Sequence, residues 1–232
     1  MSSLAAPSSL ASLTFDWDIV HRYFPTLLRG LWLTIQLALW GFALAAALAM
    51  PVALARRSRS PLLRAPATVW VNITRGVPLF VVLFWIYNGL ALRGVVTLSE
   101  FWSGAWALGL TGSGYMAEVY RGSIDSVDPG QHEAGLAVGL GPHQVFGSVV
   151  LPQALRTIVP SAGNVFVGLL KGASLVSVIG LADMFYTAKT VAVTNFAPFE
   201  LYTVAGVMLI VVTIAVSGLV ALAERRLGRS VS

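Results

Sequence analysis

The stretch EAGLAVGLGPHQVFGSVVLP, residues 133–152, is unusual in this chain because it is polar and rich in glycine and proline. It contains one glutamate, one histidine, one glutamine, four glycines and two prolines. The whole chain is 56% hydrophobic and only 11% charged, whereas a soluble domain carries about 25% charged residues. Such a polar stretch is unfavourable in lipid, so we predict that it lies outside the membrane and binds a partner there.

The composition is that of an integral membrane protein, with a mean hydropathy of +0.78. The net charge of +5 comes from cations that flank apolar segments, which is typical of topology control rather than of nucleic-acid binding. The chain has no cysteine, which excludes disulfides, thiol catalysis and cysteine-based metal sites.

Apolar runs predict an all-α bundle of five transmembrane helices, since a helix needs about 20 apolar residues to cross the hydrocarbon core. The predicted spans are residues 27–55, 66–92, 99–121, 155–185 and 201–223. They leave an N-terminal tail at 1–26, a transmembrane domain over 27–226 with one sizeable loop at 122–154, and a C-terminal tail at 227–232.

The distribution of cations predicts the orientation of these spans. If the loops after spans one and three share a side with the C-terminus, that side holds nine arginines and the other side holds four cations. The positive-inside rule then places the N-terminus outside and the C-terminus in the cytoplasm. The loop 122–154 is cytoplasmic in this arrangement.

Turn signals divide this loop into two short helices. Asp128-Pro129-Gly130 predicts a turn, and residues 131–138 predict a short helix with Glu133 in its first turn, where a negative charge suits the helix dipole. Gly139 is expected to end this helix with a positive φ, and Gly141-Pro142 to start a second one. We therefore predict a structured surface for a partner rather than a passive connector.

The loop also carries a pattern that resembles the EAA motif of ABC importer permeases. That motif reads Glu-Ala-Ala, three residues, Gly, nine residues, Ile, one residue, Leu-Pro. The matching positions, with the glycine–proline pair of the turn between them, are Glu133, Ala134, Gly135, Gly139, Gly141, Pro142, Val149, Leu151 and Pro152. The resemblance implies that the loop couples the chain to a separate ATPase subunit.

Four further segments resemble the polar amino acid subfamily of these permeases, which includes histidine, glutamine, arginine and opine systems. Residues 72–79 (NITRGVPL) resemble its Arg-Gly-Thr-Pro-Leu segment, and residues 114–122 (GYMAEVYRG) resemble Ala-Tyr-x-x-Glu-x-x-Arg-Gly. Residues 151–156 (LPQALR) match Leu-Pro-Gln-Ala-x-Arg, and residues 169–180 (LLKGASLVSVIG) resemble Leu-Lys-Asp-Thr-Ser-Leu-x-Ser-x-Ile-Gly. The resemblance implies the type I, MetI-like permease fold and a place in the bacterial inner membrane.

The chain departs from the family pattern at three places. Gly135 stands where the motif has Ala, Val77 stands where the subfamily has Thr, and Gly172-Ala173 replace Asp-Thr. The last change removes a carboxylate and a hydroxyl from a position predicted to lie in the membrane. If those groups help to hold the substrate in relatives, this chain holds it differently or leaves that task to a partner chain.

Five polar residues in the spans are candidates for the translocation pathway or a gate: Arg75, Glu118, Lys171, Ser174 and Asp183. A charge at the centre of a membrane helix costs about 2.5–3.5 kcal/mol on insertion scales. Arg75 therefore either snorkels to the interface or pairs with Glu118. Glu118 either contacts the substrate or forms a structural pair with Arg121, Arg75 or Arg156.

The remaining candidates leave alternatives open. Lys171 is predicted to lie at a break in span four, in a pathway or a subunit interface, because small residues follow it. Asp183 is either a surface acid or an outer-gate residue. Glu133 is either a solvated acid at a helix start or the residue that anchors the coupling helix on the ATPase.

The sequence predicts a transporter subunit rather than an enzyme. It has no phosphate-loop motif, so ATP and Mg²⁺ are expected in a partner ATPase, with no cofactor, catalytic residue or metal site in this chain. The resemblance implies two ATPase subunits, a second permease subunit that is identical or not, and an extracytoplasmic solute-binding protein that delivers a polar amino acid. The alternative is an ATP-independent channel or secondary transporter.

Overall fold

The structure is a computed structural model that describes residues 15–228, and helices are its only regular elements over that range. We number them α1 Trp17–Arg56, α2 Pro61–Gly76, α3 Leu79–Leu92, α4 Glu100–Asp125, α5 Pro129–Ala137, α6 Pro142–Ile179, α7 Met184–Asn195 and α8 Pro198–Gly228. The all-α prediction is confirmed. Residues 1–14 and 229–232 of the predicted tails lie outside the described residues.

Helices α1, α6 and α8 are each long and apolar enough to cross a membrane, and α2 with α3 forms a fourth candidate that is bent. Helix α4 takes the place of the predicted third span and is less apolar than these three. The prediction of several membrane-spanning helices is confirmed, whereas the count of five stays a prediction.

The predicted second span, residues 66–92, is two helices rather than one. The axes of α2 and α3 differ in direction by 102°. Pro78 follows the break, and Val77 before it is extended, with φ −86° and ψ 128°. A residue that precedes proline is driven out of the helical conformation by the proline ring, which explains the bend.

Other helix ends also differ from the predicted spans, and α6 in particular starts at Pro142 rather than at residue 155. Helix α1 starts at Trp17, inside the predicted tail, because the Asp16 carboxylate accepts hydrogen bonds from the first free N–H groups of the helix, at 3.0 and 3.2 Å. Helix α6 closes with a 3₁₀ turn at Ser174–Ile179. Gly180 then has φ +96° and starts the turn into the separate helix α7.

The core lies between α1 and α4, which make the most extensive helix pair. Their contact surfaces are built from small side chains, which let membrane helices approach closely. The fully buried alanines of this pair are Ala38, Ala45, Ala49, Ala105, Ala107 and Ala117. A second apolar cluster joins α1, α7 and α8 through Leu27, Met184 and Leu201.

Candidate functional site

The polar stretch 133–152 forms a helix, a tight turn and the start of a second helix, as the sequence predicts. The first helix begins at Pro129 rather than at residue 131, so the prediction that Glu133 lies in its first turn is wrong. The Asp128 side chain caps α5 by accepting from the N–H of Gly130 at 2.7 Å. Gly139 ends that helix with φ +89°. Its N–H donates to the carbonyl of Leu136 at 3.0 Å, and the N–H of Leu140 donates to the carbonyl of Gly135 at 3.2 Å. This is a Schellman cap, which satisfies the last carbonyls of the helix.

The second helix of the stretch is continuous with a membrane helix. Pro142 occupies the first turn of α6, and the Gln144 side chain accepts from the N–H of Gly141 at 2.9 Å. A π-helical turn spans Phe146–Val150, just before Pro152. Proline lacks an N–H and clashes with the carbonyl four residues before it, so the wider turn accommodates it within the helix. Leu151 and Pro152 therefore lie within helix α6 rather than in a loop.

Helix α5 packs against α6 through Gly135, which explains the departure of this position from the family motif. A Cβ atom at Gly135 would lie 2.9 Å from a methyl carbon of the fully buried Val145. Alanine would therefore need Val145 to move. The chain combines glycine at 135 with a branched partner and keeps the two helices in close contact.

The outward side of α5 is free to meet a partner. Glu133 and Ala134 are exposed, and Glu133 makes no ion pair with any residue of the described range. Leu136 and Val138 are also exposed. Beside Glu133, a groove of about 370 Å³ is lined by Arg57, Asp125, Asp128, His132 and Phe146 among others. Exposed apolar and acidic groups thus share one surface, here named the α5 surface.

A cluster of arginines surrounds Glu118 on α4. One Glu118 oxygen is hydrogen-bonded to Arg56, and the other accepts from Arg121 at 2.9 and 3.0 Å. Arg75 is farther away, with its nearest nitrogen 3.9 Å from Glu118. Asp125 completes this charge cluster by pairing with Arg57 at 2.8 Å and with Arg121 at 2.9 Å.

The charge cluster confirms a structural pairing for Glu118 and corrects its expected partners. Arg121 and Arg75 are close to it as predicted, whereas Arg156 makes no ion pair within the described residues. Arg56 is the partner that sequence reasoning missed, because it was counted only as a topology signal. The spacing of positions 118, 121 and 125 on one helical face is a signal from which half of the cluster could have been predicted.

A cavity of about 650 Å³ opens beside the bend between α2 and α3. Arg75 lines it and lies 5.3 Å from the centre of the Tyr115 ring. The wall also contains Gly172, one of the positions where the chain departs from the family pattern. The full set of lining residues is Arg75, Gly76, Val77, Pro78, Leu79, Leu108, Thr111, Tyr115, Asn164, Val165, Gly168, Leu169, Gly172 and Leu175.

The five pathway candidates do not form one site. Lys171 is exposed and is not part of the cavity wall, although its neighbour Gly172 is. The hydroxyl of Ser174 donates to the carbonyl of Lys171 at 2.7 Å, and the 3₁₀ turn begins there. The predicted break after Lys171 is thus a tightening of the helix. A pathway or interface role for these two residues stays a prediction.

Asp183 is fully buried, so its interpretation as a surface acid is wrong. It caps α7, with one carboxylate oxygen accepting from the N–H of Tyr186 at 2.9 Å. Its other oxygen has no hydrogen-bond partner within the described residues. The N–H of Met184 lies 3.5 Å from the hydroxyl of Thr34 on α1, so the start of α7 is packed against α1.

The chain is similar in sequence to known transport proteins. The family model described as "Binding-protein-dependent transport system inner membrane component" matches residues 41–229. The probable amino-acid permease protein YxeN of Bacillus subtilis is 34% identical over 93% of this chain and 97% of its own length. The nopaline transport system permease protein NocM of Agrobacterium fabrum is 35% identical over 90% of each chain.

Solved structures give the same result. A chain of an amino acid ABC transporter crystallised with histidines superposes with a TM-score of 0.86 and 34% identity, over 92% of this chain and 100% of that one. A chain of the MetNI methionine transporter has a TM-score of 0.77 over 89% of this chain and 98% of that one, at 19% identity, and supports the fold alone. The chain therefore belongs to the family of inner membrane components of binding-protein-dependent transport systems.

Proposed function

We propose that this permease carries a polar amino acid, or a close relative of one, into the cell and that a separate ATPase drives it through the α5 surface. The observation that carries the proposal is that residues 142–152 are continuous with the rest of α6, while α5 packs against them through Gly135. The same helix that begins at the exposed turn continues to the wall of the cavity. A displacement of the turn therefore moves the cavity wall as well.

The assembly around the chain follows from the same proposal. Two ATPase subunits bind ATP and Mg²⁺ in the cytoplasm, and the α5 surface of each of two permease subunits docks on them. An extracytoplasmic binding protein delivers the substrate. The cation count supports an N-terminus outside the cell, which puts the α5 surface on the ATPase side. Closure of the ATPases then biases a two-state change between outward and inward openings.

The test is retention of the cognate ATPase on the permease purified from membranes. The double variant Gly139→Asp with Glu133→Lys removes the positive-φ glycine and reverses the exposed charge. We expect it to insert into membranes and to lose the ATPase. The matched control is Gly94→Asp with Glu200→Lys, which makes the same two changes away from the α5 surface, at another glycine with positive φ.

Two outcomes would contradict the proposal. If the wild-type permease retains no ATPase, the proposed ATPase partner is wrong. If the double variant retains as much ATPase as the control, the α5 surface is not where the ATPase docks. Substrate uptake by proteoliposomes without ATP would instead support the channel or secondary transporter.

A further inference from the structure

We propose that Arg75 binds the carboxylate of the transported molecule in the cavity beside the α2–α3 bend, and that the cavity takes amino acids whose side chains are not cationic. This inference rests on the proposed function and adds the class of substrate. It depends on three features of the cavity, namely its charge, the availability of Arg75 and its size.

The cavity has one sign of charge. Arg75 is the only ionised side chain in its wall, and no carboxylate of the described residues lines it. The polar groups that accompany Arg75 are neutral, namely Thr111, Tyr115 and Asn164. A cationic side chain would enter beside an arginine with no carboxylate in the wall to oppose it, whereas a carboxylate would meet one cation.

Arg75 is available for a ligand because its neighbour Glu118 is already satisfied. Arg56 and Arg121 occupy the two oxygens of Glu118, while Arg75 stays at 3.9 Å, beyond hydrogen-bond distance. The Arg75 side chain is 47% exposed. Its guanidinium lies over the Tyr115 ring, which holds it toward the cavity. A planar guanidinium held in this way suits the two oxygens of a carboxylate.

The size and the remaining wall fit a small amphipathic molecule. About 650 Å³ of open cavity falls within the range of small-molecule sites. The hydroxyl oxygen of Thr111 has no hydrogen-bond partner in the described part of the chain. Thr111 also lines the cavity, so this hydroxyl is a candidate hydrogen-bonding group for a ligand there. The rest of the wall is mostly aliphatic, so a neutral side chain is accommodated.

The experiment measures binding to the purified permease–ATPase complex without the binding protein, so that the cavity alone selects the ligand. Labelled glutamine and labelled glutamate are the probes. The competitors are unlabelled glutamine, glutamate, arginine and the α-amide of glutamine. We expect the α-amide to compete at least about tenfold more weakly than glutamine because it loses a charged hydrogen bond. We expect arginine to compete more weakly as well, by at least about tenfold, because its cationic side chain meets Arg75 with no carboxylate in the cavity wall.

Two pairs of variants isolate the residues. Arg75→Gln should weaken glutamine binding by about tenfold and remove the preference for the acid over its amide. Arg64→Gln, the same change at an exposed position of the same helix, should do neither. Gly172→Asp places a carboxylate on the wall and should improve competition by arginine relative to the uncharged variant Gly172→Asn. The new Cβ meets only side-chain carbons of Leu79 at 3.1 Å and Leu108 at 3.4 Å, which can shift.

The outcomes separate this inference from the proposed function. Arginine that competes as well as glutamine in the wild type overturns the inference, and so does Arg75→Gln with unchanged binding. Absence of carboxylate-dependent binding for both probes also overturns it. In each of these cases, retention of the ATPase by the same preparation leaves the proposed function standing. Loss of the ATPase from the wild-type complex contradicts the proposed function instead.

Discussion

Helix α1 is held in two different ways at its two ends. Near Gly30 and Thr34, the start of α7 lies directly against its backbone, and Leu27 and Met184 are fully buried beside it. Near Arg56, which is about 40 Å further along the helix at 1.5 Å per residue, partly exposed ion pairs join α1 to α4. We call these the packed end and the charged end.

The two ends should differ in their sensitivity to added side-chain volume and to salt. Close packing depends on shape and is insensitive to salt, so the packed end should fail when volume is added. Ion pairs near water are screened by salt and tolerate small changes of shape. The charged end is therefore the part of the molecule suited to rearrangement during transport, and the packed end is the part suited to stay fixed.

The largest expected effect is that of Gly30→Ala at the packed end. The added Cβ would lie 2.7 Å from two backbone atoms of Met184 and 2.8 Å from the carbonyl carbon of Asp183. Backbone cannot turn away as a side chain can, so we expect a loss of about 3 kcal/mol, the upper range for an overpacked core. Thermal unfolding in detergent measures it, with Gly206→Ala on α8 as the control, where nothing lies within 4 Å. Equal stability of the two variants would contradict the packing argument.

Glu118→Gln should have the next largest effect, at the charged end. The change keeps the shape of the side chain and leaves Arg56 and Arg121 without the carboxylate between them. Hydrogen bonds to charged groups contribute about 1.5–3 kcal/mol, and we expect about 2 kcal/mol because the Glu118 side chain is only 24% exposed. Glu133→Gln removes an exposed acid and serves as the control. An effect of Glu118→Gln no larger than that of the control would contradict the proposed pairing.

Asp183→Ala is expected to cost about 1 kcal/mol, the usual value for a lost N-terminal cap. Asp183→Asn keeps an oxygen for the N–H of Tyr186 and should lie closer to the wild type than the alanine variant. Melting temperatures of the three proteins decide the point. An asparagine variant as unstable as the alanine variant would show that the carboxylate acts through more than its cap.

Asp125→Asn should have the smallest effect and the strongest dependence on salt. Its partners Arg57 and Arg121 are 38% and 37% exposed, so the two pairs together contribute about 0.5 kcal/mol at low salt. The difference from the wild type should vanish at about 1 M salt, where screening acts within about 3 Å. The destabilisation caused by Gly30→Ala should not change over the same range of salt concentration. If salt reduced the destabilisation of both variants equally, the proposed difference between the two ends would be wrong.

Local signals in the sequence predicted the segments that short-range rules control. The turn at Gly139 and the restart at Pro142 follow from the conformational limits of glycine and proline, and both are present in the structure. The family pattern identified the α5 surface for the same reason, since its residues lie within one short stretch. The bend at Val77-Pro78 followed from an equally local rule, but the hydrophobic run across it favoured a single span.

Contacts between distant segments could not be predicted in the same way. Arg56 and Glu118 are 62 positions apart, and the sequence gives no reason to prefer this pair over the other arginines. The position of Asp183 depends on the path of α1, because its burial results from the small residue at Gly30. The cavity is assembled from α2, α3, α4 and α6, so its one-signed charge became visible only when these helices were placed together.

The π-helical turn at Phe146–Val150 has a consequence for how the length of α6 can vary. Deleting one residue from an α-helix rotates everything beyond it by about 100° relative to everything before it. A π-helical turn holds one residue more than an α-helical turn, so a deletion within it can be absorbed by conversion to an ordinary turn when Pro152, which the wider turn accommodates, is replaced as well. Within α6, this turn is therefore the place where a residue can be lost while the α5 surface and the cavity wall keep the same orientation about the helix axis.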